Sequence, residues 1–111
     1  MAARTTTRLT IADCCSVLGE PITDARAVEL AKAFAALADP VRLRLFSMIA
    51  SAGTCCSCDL IEPLGKSQPT VSHHTKVLAD AGLIAGVKAG RWVNWTVVPE
   101  RLEQLRAALA P

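Results

Sequence analysis

The residues best able to do chemistry are five cysteines, and they fall into two clusters, Cys14-Cys15 and Cys55-Cys56-Ser57-Cys58, in a chain of 111 residues. Neighbouring Cα atoms lie ~3.8 Å apart, which is below the usual disulfide range. The first ten residues, MAARTTTRLT, lack the apolar run of a signal peptide, so a cytoplasmic address is expected, and a reducing cytoplasm keeps thiols free. Free thiols in clusters point to metal capture or redox chemistry. Three thiolates make a pyramidal cage for arsenite or antimonite, and four make a tetrahedral cage for zinc, cadmium or lead. All candidate ligands are sulfur, so softness selects the ion. A single cysteine is well explained as a small core hydrophobe; five in two tight groups are not.

A second stretch is polar and basic. Residues 66–76 read KSQPTVSHHTK. Placed on a helix, Ser67, Gln68, Thr70, Ser72, His73 and Lys76 occupy its first two turns and its solvent side. There they can donate to phosphates or meet base edges, with the helix N-terminus adding partial positive charge. Lys88 and Arg91 flank a turn further on, where the tip of a hairpin can touch a phosphate or the minor groove. The formal net charge of +2 says little by itself; the placement of the charges says more. His73 and His74 diverge by ~100° on a helix and do not share a metal easily, so one is expected to face outward and the other the body. A zinc finger is excluded because no His-x3-His follows Cys55-x-x-Cys58. A thiol oxidoreductase would need that motif after a strand of an α/β unit, and helices are expected around it, so no enzyme is expected.

The elements that must hold these residues follow from periodicity. Residues 1–22 show none and read as a flexible arm carrying the cysteine pair; residues 23–111 read as one domain. A helix is expected from Thr23 or Asp24, with Ala27, Leu30, Ala31, Phe34, Leu37 and Ala38 on its apolar face. Asp39-Pro40 ends it and starts another, with Val41, Leu45, Met48 and Ile49 inward. A short third helix is expected from Cys55 or Cys56 to about Leu64, closed by Gly65. Ser67 caps a fourth, whose inward positions are Val71, Thr75 and Leu78. The period then changes to two: Ile84–Lys88 and a second strand through Val93, Trp95 and Val97 form a hairpin about Ala89-Gly90. Pro99 opens a last helix with Leu102, Leu105 and Leu109 along one side. The fold class is mainly α with a β-hairpin, a winged helix-turn-helix. No stretch approaches the ~20 apolar residues of a membrane span, so no membrane partner is expected. A chain this short is also a candidate for dimerisation.

Four segments in this order, ALADPVRLRLFSMI (36–49), CSCDL (56–60), SQPTVSHHTKVLADAGL (67–83) and GRWVNWTVVPE (90–100), resemble the ArsR/SmtB family of bacterial metal-sensing repressors over roughly residues 24–109. The resemblance implies a homodimer joined through its terminal helices, a palindromic double-stranded operator, and release of DNA when an inducing ion binds. It implies arsenic(III) or antimony(III) as inducer, with another soft thiophilic ion (cadmium, lead or zinc) or thiol oxidation as alternatives. Thr75 departs from the family, whose members usually carry Leu there. Two ligand arrangements are implied. One uses the Cys-x-Cys box, here Cys56 and Cys58, and normally adds a cysteine where this chain has Ile61. The other joins N-terminal cysteines of one subunit to a cysteine near the start of the third helix of its partner. The Cys14-Cys15 pair and the loss at Ile61 favour the second, with Cys14, Cys15 and Cys55 as ligands and Cys56 and Cys58 as additional or alternative ones. The family's other site, on the last helix, is not expected, since residues 99–111 contain no His.

Overall fold

Thr23 and Asp39 each start a helix, as their short acceptor side chains dictate, in the computed structural model that describes residues 16–111. Helix α1 (Asp24–Leu37) begins where the Thr23 hydroxyl accepts from the Arg26 amide at 3.2 Å. Helix α2 (Pro40–Ala52) begins where the Asp39 carboxylate accepts from the Val41 and Arg42 amides, both at 3.0 Å. The Arg42 amide above all holds the Asp39 carboxyl below its ordinary range. Leu45 and Ile49 of α2 are buried, with Val41 and Met48 packed beside them, as expected.

The inward face of α1 keeps the expected Leu30, Phe34 and Leu37 but not the expected alanines. Leu30, Ala33 and Ala36 are buried, whereas Ala27, Ala31 and Ala38 are exposed. Alanine carries so little apolar surface that an alanine-rich helix leaves its own rotation undetermined; packing against α2 and the later helices decides it. Leu18, Val28, Leu102 and Leu109 also remain exposed. Phe34, Leu37, Leu102, Leu105 and Leu109 line an apolar groove of about 480 Å³ between the first and last helices.

The third element is not the expected helix. Cys55–Cys56 form a short strand β1, Ser57–Asp59 a 3-10 turn, and only Ile61–Leu64 a single α-helical turn, α3. The strand forms because β1 has a partner distant in sequence: it pairs antiparallel with the hairpin, Cys55 opposite Trp95 and Cys56 opposite Asn94. Gly65, at φ 65°, then makes the left-handed turn into α4 (Gln68–Asp80), capped by Ser67. Val71, Thr75 and Leu78 are the buried residues of α4, and the Thr75 hydroxyl donates to the Ser72 carbonyl at 3.0 Å. The buried hydroxyl is thereby satisfied within its own helix.

Strands β2 (Ile84–Ala89) and β3 (Trp92–Val97) form the hairpin, and the sheet order is β1-β3-β2. The turn falls at Gly90-Arg91, one residue later than expected, with Ala89 paired to Trp92. Opposite Trp95 stands Gly86, and a Cβ there would come within 2.6 Å of Val93 and 2.7 Å of the Trp95 ring. The indole of Trp95 occupies that space. Helix α5 (Pro99–Ala108) closes the fold. Residues 16–22 lie against its end, with the Val17 amide donating to the Ala108 carbonyl at 2.8 Å and the Ser16 hydroxyl to Ala110 at 2.6 Å. Of the expected stripe on α5, Leu105 is buried while Leu102 and Leu109 border the groove. Helix-turn-helix followed at once by a hairpin is a winged helix.

Candidate nucleic-acid interface and thiol site

Helix α4 buries one stripe and exposes the other. At ~100° per residue, Ser72, His73 and Lys76 lie away from the Val71–Thr75–Leu78 stripe, and Ser67, Gln68, Thr70, Ser72, His73 and Lys76 are all exposed. Ser67 shares its hydroxyl between the cap of the helix, at 3.4 Å from the Thr70 amide, and the Thr70 side chain at 3.1 Å. Lys76 reaches Asp80 at 3.1 Å in an exposed pair, an interaction weak enough to be exchanged for another anion.

The hairpin sets Arg91 beside this helix and carries Lys88 near its own tip. Lys88 and Arg91 are exposed. The Arg91 guanidinium lies 5.2 Å from the Trp92 ring centroid, which steadies it without consuming its hydrogen-bond donors. Between helix and wing is a small cavity of about 80 Å³, lined among others by Ser57, Gln68, Ser72, Thr75, Arg91 and Trp95. The Trp95 Nε1–H is buried there and meets no acceptor among the described residues.

The two histidines divide as expected. His73 is exposed, whereas His74 is half-buried and its Nδ1 lies 3.3 Å from the Arg42 guanidinium. Arg42 can only donate, so Nδ1 is the acceptor and carries no proton. The same guanidinium donates to the Ala36 carbonyl at 2.7 Å and more distantly to Ala35 at 3.5 Å. One side chain thus closes the end of α1 and anchors α4. Desolvation, offset by the Asp39 charge and reinforced by Arg42, holds His74 below its ordinary value of 6.5.

The strand at Cys55–Cys56 separates the cysteines. Residues paired directly across a sheet share a face, and successive residues alternate. Cys55 therefore joins Trp95 on the core side, and Cys56 joins Asn94 on the other. Cys55 is only 8% exposed; burial, with the Asp59 charge adding to it, pushes its thiol above the usual range. Cys56 and Cys58 instead meet, their sulfurs joined in a disulfide. A helix begun at Cys55 would set Cys55 and Cys58 on one face and point Cys56 and Cys58 apart; because helical turns begin only at Ser57, the strand and 3-10 turn redirect all three. The expectation of free thiols throughout holds among the described cysteines only for Cys55. No three His, Cys, Asp or Glu side chains among the described residues converge as an ion site. Cys14 and Cys15 lie outside the described residues.

Sequence reasoning missed Ser57 and Arg42. The Ser57 hydroxyl accepts from the Val93 amide at 3.2 Å, and only recognition of β1 could have exposed it. Arg42 had a fainter signal, a cation one turn beyond the end of a helix with free carbonyls.

The profile of the bacterial regulatory protein, arsR family, matches residues 39–85. An uncharacterized HTH-type transcriptional regulator of Methanocaldococcus jannaschii is 38% identical over 80 residues, covering 72% of this chain and 86% of the relative. An arsenical resistance operon repressor of Escherichia coli is 38% identical over 66 residues, 60% of this chain and 56% of that protein; the match thus spans little more than half of that repressor. Among solved structures, the AntR antimony-specific transcriptional repressor superposes with a TM-score of 0.66 at 32% identity, covering 78% of this chain and 79% of that one. Among the described residues no helix is long and apolar enough to cross a membrane.

Proposed function

This chain belongs to the bacterial arsR family of transcriptional regulators, and from that premise we propose that it is a cytoplasmic, homodimeric repressor that leaves its operator when its cysteines capture arsenite or antimonite. On this reading α4 enters the major groove with Gln68, Ser72 and His73 toward base edges. Ser67, Thr70, Lys76, Lys88 and Arg91 hold phosphates or the minor groove. The apolar groove between α1 and α5 supports a dimer interface there, and so do the exposed Leu102 and Leu109 at its edge.

The observation that carries the inducer reading is the position of the sulfurs. Cys56 and Cys58 converge on the segment that leads into α3 and whose strand β1 pairs with β3 of the wing, and sulfur is the donor that soft ions prefer. The described residues bring together fewer than three donors, so a three-thiolate cage needs sulfurs from elsewhere, which Cys14 and Cys15 can supply from the same or the partner subunit. Cys55, one residue away, can serve as the third ligand if β1 releases it; otherwise Cys56 and Cys58 fill that place once a cellular thiol has reduced their disulfide by exchange, becoming oxidised in turn and leaving two free thiols. A bound ion would supply strong metal–thiolate bonds that offset the entropy of fixing the segment carrying Cys14 and Cys15. The names of the arsenical and antimony repressors support the choice of metalloid over zinc.

The test is release of operator DNA in gel shifts titrated with arsenite, antimonite, cadmium, lead and zinc. Arsenite is expected to act at lower concentration than zinc. Release by zinc or cadmium with arsenite inert refutes the metalloid reading, and release by peroxide alone replaces it with thiol oxidation.

A further inference from the structure

The ladder between β1 and β3 runs Cys55 to Trp95 and Cys56 to Asn94. One step further, Ser57 stands opposite Val93, but the backbone of Ser57 has already turned into the 3-10 helix. Its hydroxyl takes over, accepting the Val93 amide at 3.2 Å. A side chain flanked on both sides by cysteines therefore supplies the last rung of the sheet that carries the wing. Ser57 also lines the cavity shared with Gln68 and Ser72 of α4 and with Arg91 of the wing tip.

We propose that Ser57 is the positioning residue that transmits the state of the Cys55–Cys58 segment to the wing. The inference rests on the proposed thiol site but not on which sulfurs bind. Two-electron reduction of the Cys56–Cys58 disulfide by an external thiol or phosphine, with a proton taken up by each sulfur, leaves two thiols; an ion that replaces those protons then holds the sulfurs apart, so their separation differs between the oxidised and the ion-bound state. That difference falls on the three residues Cys56–Cys58, of which Ser57 is the middle one. Withdrawal of Cys55 from the core peels β1 from β3 and moves Ser57 just as directly. In either case the Val93 amide loses its acceptor. Val93 is two residues from Arg91, which sits in the turn that leads into β3, so freeing its amide loosens the wing cation.

Hydrogen exchange at the Val93 amide, resolved by NMR, tests this in the full chain. Wild-type protein is compared reduced with a phosphine, oxidised with diamide, and reduced with arsenite added. Ser57→Ala and Ser57→Thr are run alongside, with operator release by arsenite as the second readout. In wild type, Val93 exchange is expected to change at least tenfold between the diamide-oxidised and reduced states, and again on adding arsenite. In Ser57→Ala it is expected to be fast and unresponsive in all three states. Arsenite should still bind this variant at the wild-type stoichiometry, yet half-release of DNA should need at least tenfold more of it. Ser57→Thr, which keeps the hydroxyl, should restore both responses. Val93 exchange that is constant across all states of the wild type overturns the inference, as does unaltered arsenite release in Ser57→Ala. If arsenite fails to bind wild type while diamide still moves Val93, the metalloid reading fails and the role of Ser57 stands.

Discussion

Replacing Arg42 with alanine should separate two helices that the fold relies on keeping together. The guanidinium makes one good hydrogen bond to the Ala36 carbonyl at 2.7 Å and a longer one to His74 Nδ1 at 3.3 Å; the 3.5 Å approach to Ala35 is too long to count. A charge-assisted hydrogen bond contributes ~1.5–3 kcal/mol and a neutral-strength one ~1 kcal/mol. Against these stands the ~1.5–2 kcal/mol of rotamer entropy that a truncated arginine no longer loses. The net is a destabilisation of ~1.5 kcal/mol. For a domain near 100 residues, at ~4 °C per kcal/mol, that lowers Tm by roughly 6 °C.

The same substitution has a signature in the titration of His74. Its folded value lies below 6.5, so as pH falls the unfolded chain takes up the proton first. The stability due to the neutral imidazole is fully present above 6.5 and is lost as the pH drops from there through the folded value. Arg42→Ala removes a nearby cation and the donor that only the unprotonated Nδ1 can accept, so the His74 titration should move upward and the acid-side loss should flatten. Differential scanning calorimetry between pH 5 and 8 and NMR titration of the ring protons measure both. Arg42→Lys restores charge without the fork and should recover the titration more than the Tm. A Tm within 2 °C of wild type, or a His74 titration that stays or moves down, refutes the reasoning.

Lys76→Ala and Arg91→Ala should each weaken operator binding and reduce the slope of log affinity against log salt by ~0.9, one phosphate apiece, while Gln68→Ala relaxes base preference; unchanged binding in all three counts against the interface. Because Lys76 must leave Asp80 to meet a phosphate, and an exposed pair contributes at most ~1 kcal/mol, Asp80→Asn should tighten binding by up to about fivefold in the same titration. Gly86→Ala puts a methyl into the space of Trp95 and Val93, so urea denaturation should show a loss of ~1–3 kcal/mol, with Trp emission shifted to the red; wild-type stability and emission would show that the strand gives way freely. Cys14→Ser should abolish arsenite release and spare repression. A heterodimer of one Cys14→Ser/Cys15→Ser chain and one Cys55→Ser chain should bind about one arsenite if the site joins subunits and none if it lies within one.

How much of this was legible in the sequence depended on the range of the forces involved. Thr23, Asp39 and Ser67 announce their helices because a cap is a contact within three residues. Val71, Thr75 and Leu78 announce the inward face of α4 because larger side chains fix its rotation. The alanine face of α1 misled because Ala27 and Ala33 differ in burial and not in chemistry. The deeper miss was β1. Two residues carry no periodicity, and only the distant partners Trp95 and Asn94 make Cys55 and Cys56 a strand. The helix expected from Cys55 or Cys56 went with it, and the strand and 3-10 turn, not helical spacing, decide where the sulfurs point. Ser57, with its partner 36 residues away, was invisible for the same reason.

The strand also sets the energetics of the choice among ligands. Cys56 and Cys58 lie on the outer side of the sheet, and engaging them leaves the core intact. Engaging Cys55 means drawing a buried thiol out from beside Trp95, a loss of apolar burial on the order of 1 kcal/mol, together with the two ladder positions that β1 shares with β3. Such a sum is small beside the ~10–16 kcal/mol with which thiolate sites hold a structural zinc, so it does not prevent Cys55 from binding. It is comparable to the ~1–3 kcal/mol by which an inducer must favour one state of a regulator over the other. An ion that binds without disturbing β1 has little with which to distinguish the DNA-bound form from the released one. An ion that must lift Cys55, or spread Cys56 from Cys58, binds by opening a junction that holds the wing against the helical body. On the proposed reading the opening of β1 is the source of the response, and a Cys55→Ala variant that releases DNA normally would place that source in the Cys56–Cys58 turn instead.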